Sequence, residues 1–154
     1  VDWILHKSKK IEFHTNLKEV TKPFREDIGK YNWLISDLEV NTDKLDTLPI
    51  DHEKEYFILT SDEFQFLVST EIQIIWGAIL AIPKYIPIEI SQENLPYVEG
   101  NDKVWEPGNI QHDEAEIEID CFDSSYTIVK FRKKSTSKLF RNYFEEAIDL
   151  SKFK

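Results

Sequence analysis

Five of the eight residues from Asp113 to Asp120 are acidic: Asp113, Glu114, Glu116, Glu118 and Asp120. In an extended chain, side chains two residues apart share a face at intervals of about 7 Å. Glu114, Glu116, Glu118 and Asp120 therefore form a row of carboxylates on one side of a strand, and Ala115, Ile117, Ile119 and Cys121 take the other side. Such a row either keeps a half-exposed strand solvated or complements a basic partner, speeding association and penalising wrong partners. Asp37, Glu39, Asp43, Asp46, Asp51, Glu53 and Glu55 make a second acidic run on loop-like sequence.

Other reactive residue types form no recognisable constellation. The histidines His6, His14, His52 and His112 have no His-x-x-x-His spacing, and the single cysteine cannot build a Cys-x-x-Cys site. His112-Asp113-Glu114 reads either as a cluster for a divalent ion or as an acidic loop leading into a strand. Cys121 lies in phase with Ile117 and Ile119, where a thiol acts as a small hydrophobe rather than a nucleophile. Carboxylates are so numerous that no one pair is informative for acid-base chemistry. With 4 glycines and no Gly-x-Ser-x-Gly, neither a phosphate-cradling loop nor a serine elbow can be built. The reading is a protein without catalysis, cofactor or metal. Trp105, in Lys103-Val104-Trp105-Glu106-Pro107-Gly108, is either a partly exposed contact anchor or buried under its own loop.

The elements that position these residues follow from periodicity. Ile11 to His14 alternates like a short strand. Asn16 and Glu19 have capping-box spacing before a helical face of Leu17, Val20, Phe24 and Ile28, with Pro23 forcing a kink or a new helix start near Thr21 and Gly29 as its stop. Tyr31 to Ser36 reads as a strand, Asp37 to Asp51 as turn, and Tyr56 to Leu59 as a second strand. Thr60 and Glu63 cap a helix over residues 61–69. Ile72 to Ile82 reads as a central strand covered on both faces. Pro83 to Gly108 carries four prolines and two glycines and predicts a loop-rich excursion with an edge pairing at Ile88 to Ile90. Ala115–Cys121 and Tyr126–Phe131 form an antiparallel hairpin around Asp123-Ser124-Ser125. Ser135 or Ser137 caps a last helix whose stripe runs from Leu139 to Ile148. The expected fold is a single α+β domain over residues 1–154, a mainly antiparallel β-sheet with about three helices on one face.

The chain has 154 residues and a net charge of −10. Residues 31–130 hold 5 basic and 21 acidic side chains, a balance of −16, and both ends are basic. Such a chain is not expected to bind nucleic acid directly, because that relies on neutralising phosphates. The longest apolar run, Ile74 to Pro83, is about half of a bilayer span. Neither a membrane segment nor a signal-peptide layout at the N-terminus is read, and one cysteine fits a reducing compartment, so the expected location is cytoplasmic.

Tyr31-Asn32-Trp33-Leu34-Ile35-Ser36-Asp37-Leu38-Glu39, Gln73-Ile74-Ile75-Trp76-Gly77-Ala78 and Cys121-Phe122-Asp123-Ser124-Ser125-Tyr126 resemble small acidic immunity proteins (antitoxins) of Bacillus-type polymorphic (LXG) toxin systems. The resemblance is one of sequence style across most of the chain, and it transfers no residue set. It implies a cytoplasmic protein that neutralises a cognate toxin C-terminal domain, expected to be a basic nuclease. The charge pattern then assigns Asp113, Glu114, Glu116, Glu118, Asp120, Asp37, Glu39 and Trp105 to the interface. Two other readings stand beside it. One is a small enzyme or ligand-binding protein with a pocket near Trp105 and His112; the other is a structural subunit with an exposed apolar patch.

Overall fold

Thr60 starts the best-defined helix. Its hydroxyl accepts from the Glu63 N–H and the Glu63 carboxylate accepts from the Thr60 N–H, satisfying donors that a helix end otherwise leaves open. The helix is α2, Ser61–Ser69, and it buries Phe64, Leu67 and Val68. The computed structural model describes residues 2–6, 15–43, 45–51, 53–70 and 72–153. The strand expected at Ile11 to His14, and the histidines His14 and His52, lie outside them.

The described strands are β1 (Trp3–Leu5), β2 (Tyr31–Asn41), β3 (Tyr56–Leu59), β4 (Gln73–Pro83), β5 (Ile117–Phe122), β6 (Tyr126–Phe131) and β7 (Ile148–Asp149). They form one antiparallel sheet in the order β3-β2-β4-β5-β6-β1-β7. The long apolar strand β4 lies inside it, between β2 and β5. The protein is α+β, with its α-helices on one face of the sheet.

On that face lie α1 (Leu17–Val20), a 3-10 stretch Lys22–Lys30, α2 and α3 (Lys134–Tyr143). They cover Trp33, Ile35, Ile79, Ile119, Cys121 and Val129. Trp33 stacks on Phe64 with ring centroids 3.9 Å apart, joining sheet to helix. Pro23 stands in the first turn of the 3-10 stretch, where its missing N–H costs nothing. The Asn16 side chain caps α1 through Lys18 N–H, and Glu19 pairs with Lys22 at 2.8 Å instead of closing a capping box.

The opposite face is also covered, by residues 84–115 and the C-terminal residues 150–153. Val98, Val104, Ala115 and Leu150 pack on Ile4, Leu34, Leu80 and Ile128 in a second core. Five expectations change. β5 is buried on both faces rather than half-exposed. β2 does not stop at Ser36 but runs to Asn41 through a register shift after Ser36, because Asp37 adopts φ 55° and lets the strand bulge and resume. Gly77 lies against this bulge, where an added Cβ would stand 3.2 Å from Leu38 Cδ1. Residues 88–90 form no strand, and α3 ends at Tyr143, leaving Ile148 and Asp149 to pair with β1. Its N-cap is Lys133 rather than Ser135 or Ser137.

Candidate functional site

Residues 84–115 carry Pro87, Pro96 and Pro107 and make no ladder with the sheet, yet backbone groups pressed against a core must find partners. The sheet supplies them through side chains. Ser36 donates to the Pro96 carbonyl. The Asp37 carboxylate accepts from Val98 N–H (2.9 Å) and Glu99 N–H (3.0 Å). Asp2 accepts from Gly108 N–H (2.6 Å) and, with its other oxygen, from Phe131 N–H. Glu118 accepts from Gln111 N–H (2.7 Å) and from Gln111 Nε2 (3.3 Å). The Lys130 ammonium donates to the carbonyls of Asn109 (2.7 Å), Glu106 (3.1 Å) and Lys103 (3.4 Å).

Glu118, Asp120 and Lys130 are completely buried. Burial first, then the charge of Glu118, holds the Asp120 carboxyl well above the usual carboxylate range, with Lys130 pulling the other way, and neither Asp120 side-chain oxygen has a hydrogen-bond partner among the described residues. Burial of this kind favours the uncharged form of the Asp120 carboxyl.

The expected surface row of carboxylates does not exist. Glu118 and Asp120 point into the second core, so neither touches a partner from the folded protein. Glu116, mostly buried, pairs with Lys133 at 2.7 Å. Asp37 is occupied by the backbone of residues 98 and 99. Trp105 is half-buried rather than an exposed anchor, with Phe122 at 5.0 Å and Phe153 stacked at 5.9 Å. A remote, proline-broken segment covers this face, and its backbone and Gln111 side chain take up Asp37 and Glu118, whereas Glu116 is taken up by Lys133. Of the predicted interface residues, Glu39, Asp113 and Glu114 remain exposed.

The same cover segment brings the two acidic runs together. Gln92 donates to Glu55 (2.7 Å), and the Asp37 contact joins β2 to residues 98 and 99. Glu89, Asn94, Gln111, His112, Asp113 and Glu114 line an open surface pocket of about 420 Å³ beside them. Gln111 forms its inner end and reaches through to the buried Glu118. Among the described residues, no group of three His, Cys, Asp or Glu is placed to hold a metal ion. The basic residues gather on the helix face, where Lys18, Lys22 and Arg25 flank a cleft of about 180 Å³.

Sequence reasoning missed Asp2, Lys130 and Gln111. For Lys130 the signal was present: a three-residue turn at 123–125 sets Glu118 opposite Lys130, a charged pair on a strand of otherwise apolar alternation. For Asp2 and Gln111 no local pattern marks the contact.

Among the described residues, no helix is long and apolar enough to cross a membrane. The chain matches no family model, no curated protein and no solved structure.

Proposed function

We propose that this protein is an immunity protein, a binding protein that neutralises a basic toxin domain through its acidic face and carries out no catalysis. The observation that carries the reading is the junction of the two acidic runs. Glu55, just before β3, accepts from Gln92 of the cover segment, and on that segment the exposed Glu89, Asp113 and Glu114 line one open pocket. A surface of one sign accelerates encounter with a surface of the other, and it does so in a salt-dependent way. The cover segment, pinned by Ser36, Asp37, Glu118 and Lys130 of the sheet and by Asp2 just before β1, presents Glu89, Asp113 and Glu114 on a preformed scaffold, which limits the ordering cost of binding.

The test is co-expression and co-purification with the variable C-terminal domain of a large protein encoded by a neighbouring gene. The expected result is a complex, loss of toxicity, and an association rate that falls steeply with ionic strength. Toxicity unchanged by co-expression overturns the immunity reading, and an association rate flat across a salt series overturns the acidic interface.

A second reading rests on the pocket at His112. Its lining of Glu89, Asp113 and Glu114 suits a small cationic ligand, and a polyamine screened by calorimetry checks it.

A further inference from the structure

The sheet begins at β3, which pairs with β2 on one side only. Along its other edge, alternate residues of Tyr56–Leu59 turn their N–H and C=O groups outward, and no described backbone group bonds to them. Proteins commonly blunt such an edge with a lysine, a proline, a bulge or a covering segment. Tyr-Phe-Ile-Leu has no charge and no proline, and its shortness is its main protection. A groove of about 490 Å³ runs beside it, lined by Lys54, Glu55, Tyr56, Phe57 and Ile58. Ile58 is 43% exposed, an apolar side chain standing at an unpaired edge.

The charge around the edge selects the occupant. Asp51, Glu53 and Glu55 precede the strand, Asp62 and Glu63 follow it, and all five are exposed. The cation among them, Lys54, is 3.6 Å from Asp51. A second copy of this chain is a poor fit: antiparallel pairing of β3 with itself brings Glu53 and Glu55 of one copy to the Asp62–Glu63 end of the other, like charge against like. An extended segment with cationic ends and an apolar side chain for the Ile58 surface fits both the groove and the charge.

We propose that β3 is a docking edge that takes up an extended, lysine- or arginine-bearing segment of a partner protein as an eighth strand. Main-chain hydrogen bonds supply the attachment, and the flanking acids supply the selection for cations. This rests on the reading of the protein as a binder of a basic partner, and it names the element that reads that partner.

The experiment uses the full chain, labelled for backbone amide NMR, and two synthetic peptides of about eight residues: one alternating lysine and valine, one alternating glutamate and valine. The lysine peptide is expected to shift and protect amides of residues 56–59 at millimolar concentration, and the glutamate peptide to leave them unchanged. Ile58→Lys puts a repelling cation on the edge and is expected to weaken the lysine peptide by roughly tenfold. Phe66→Lys, on the exposed face of α2, is expected to bind as the wild type does. Thermal melts of both variants establish that each is folded; if Ile58→Lys unfolds, Ile58→Thr with its smaller expected loss takes its place. Equal response to both peptides, no response at 56–59, or protection of 56–59 by self-association without peptide overturns the proposal. A toxin complex that forms while 56–59 stay unprotected overturns the docking edge and leaves the immunity reading intact. Peptide capture at 56–59 without any toxin neutralisation does the reverse.

Discussion

Glu118 and Lys130 stand directly opposite each other in the β5–β6 register, both completely buried, and each directs its polar atoms at the covering segment. Glu118 takes the Gln111 N–H and side-chain amide, and Lys130 takes three backbone carbonyls between residues 103 and 109. The two charges act as pins of opposite polarity: the anion collects donors from the cover, the cation collects acceptors. The arrangement explains how an irregular segment lies on a sheet without leaving its backbone unsatisfied.

Removing one pin leaves the other charge and several carbonyls buried without partners. Lys130→Met, which keeps the length of the side chain, is expected to lower stability by about 3 kcal/mol. Glu118→Gln, which keeps an acceptor and the shape, is expected to cost about 1 kcal/mol. Urea unfolding measures both. Amide exchange is expected to show the loss first in residues 96–115 for Lys130→Met, and uniform loosening of the whole chain would contradict the pin.

Asp120 gives the protein a pH dependence of unusual sign. Its folded-state carboxyl is raised by burial and by Glu118, with Asp2 adding in the same direction and Lys130 opposing. Below the ordinary aspartate range both folded and unfolded chains hold this proton. Above it, only the folded chain does, so this group's contribution falls as pH rises until the folded carboxyl itself ionises. The urea midpoint is expected to decline as pH rises above the ordinary aspartate range, and Asp120→Asn to flatten that decline and raise the midpoint at the alkaline end. An identical slope in both proteins would rule this out.

Cys121 is buried, and burial with the nearby Asp120 pushes its thiol far up. Because the thiolate is the reactive form, a maleimide is expected to label Cys121 only as fast as the protein unfolds. Rapid labelling of the native chain would show that the helix-side core opens.

The charges that matter for a basic partner are those left in solvent. Replacing Glu89, Asp113 and Glu114 by lysine is expected to slow association severalfold at low salt with little effect on stability. Glu116→Gln keeps the shape of a mostly buried side chain, weakens its pair with Lys133, and is expected to leave the association rate near that of the wild type. Stopped-flow association across a salt series separates the two sets. Equal slowing by both would mean that the interface reaches the start of α3.

Much of the helix-side architecture was legible in the chain because its signals are local. Thr60 and Glu63 mark α2 by spacing alone, Pro23 marks the start of the 3-10 stretch, and the unbroken Ile72 to Ile82 run marks a strand covered on both faces. The second core was not legible. Period-two alternation at Glu116, Glu118 and Asp120 states which side chains share a face, and an acidic face reads as solvated unless something covers it.

The sequence by itself determined the α+β class, the hairpin, the Thr60–Glu63 cap of α2 and the −16 balance between residues 31 and 130, because propensity, periodicity and charge act over a few residues. Only the tertiary structure decided which acids are structural and which remain free. That choice depends on a segment without periodicity, residues 84–115, whose backbone must be satisfied wherever it lies. It takes Asp2, Asp37 and Glu118 as hydrogen-bond acceptors, buries Asp120 beside Glu118, and leaves Glu39, Asp113, Glu114 and the open edge of β3 to the solvent.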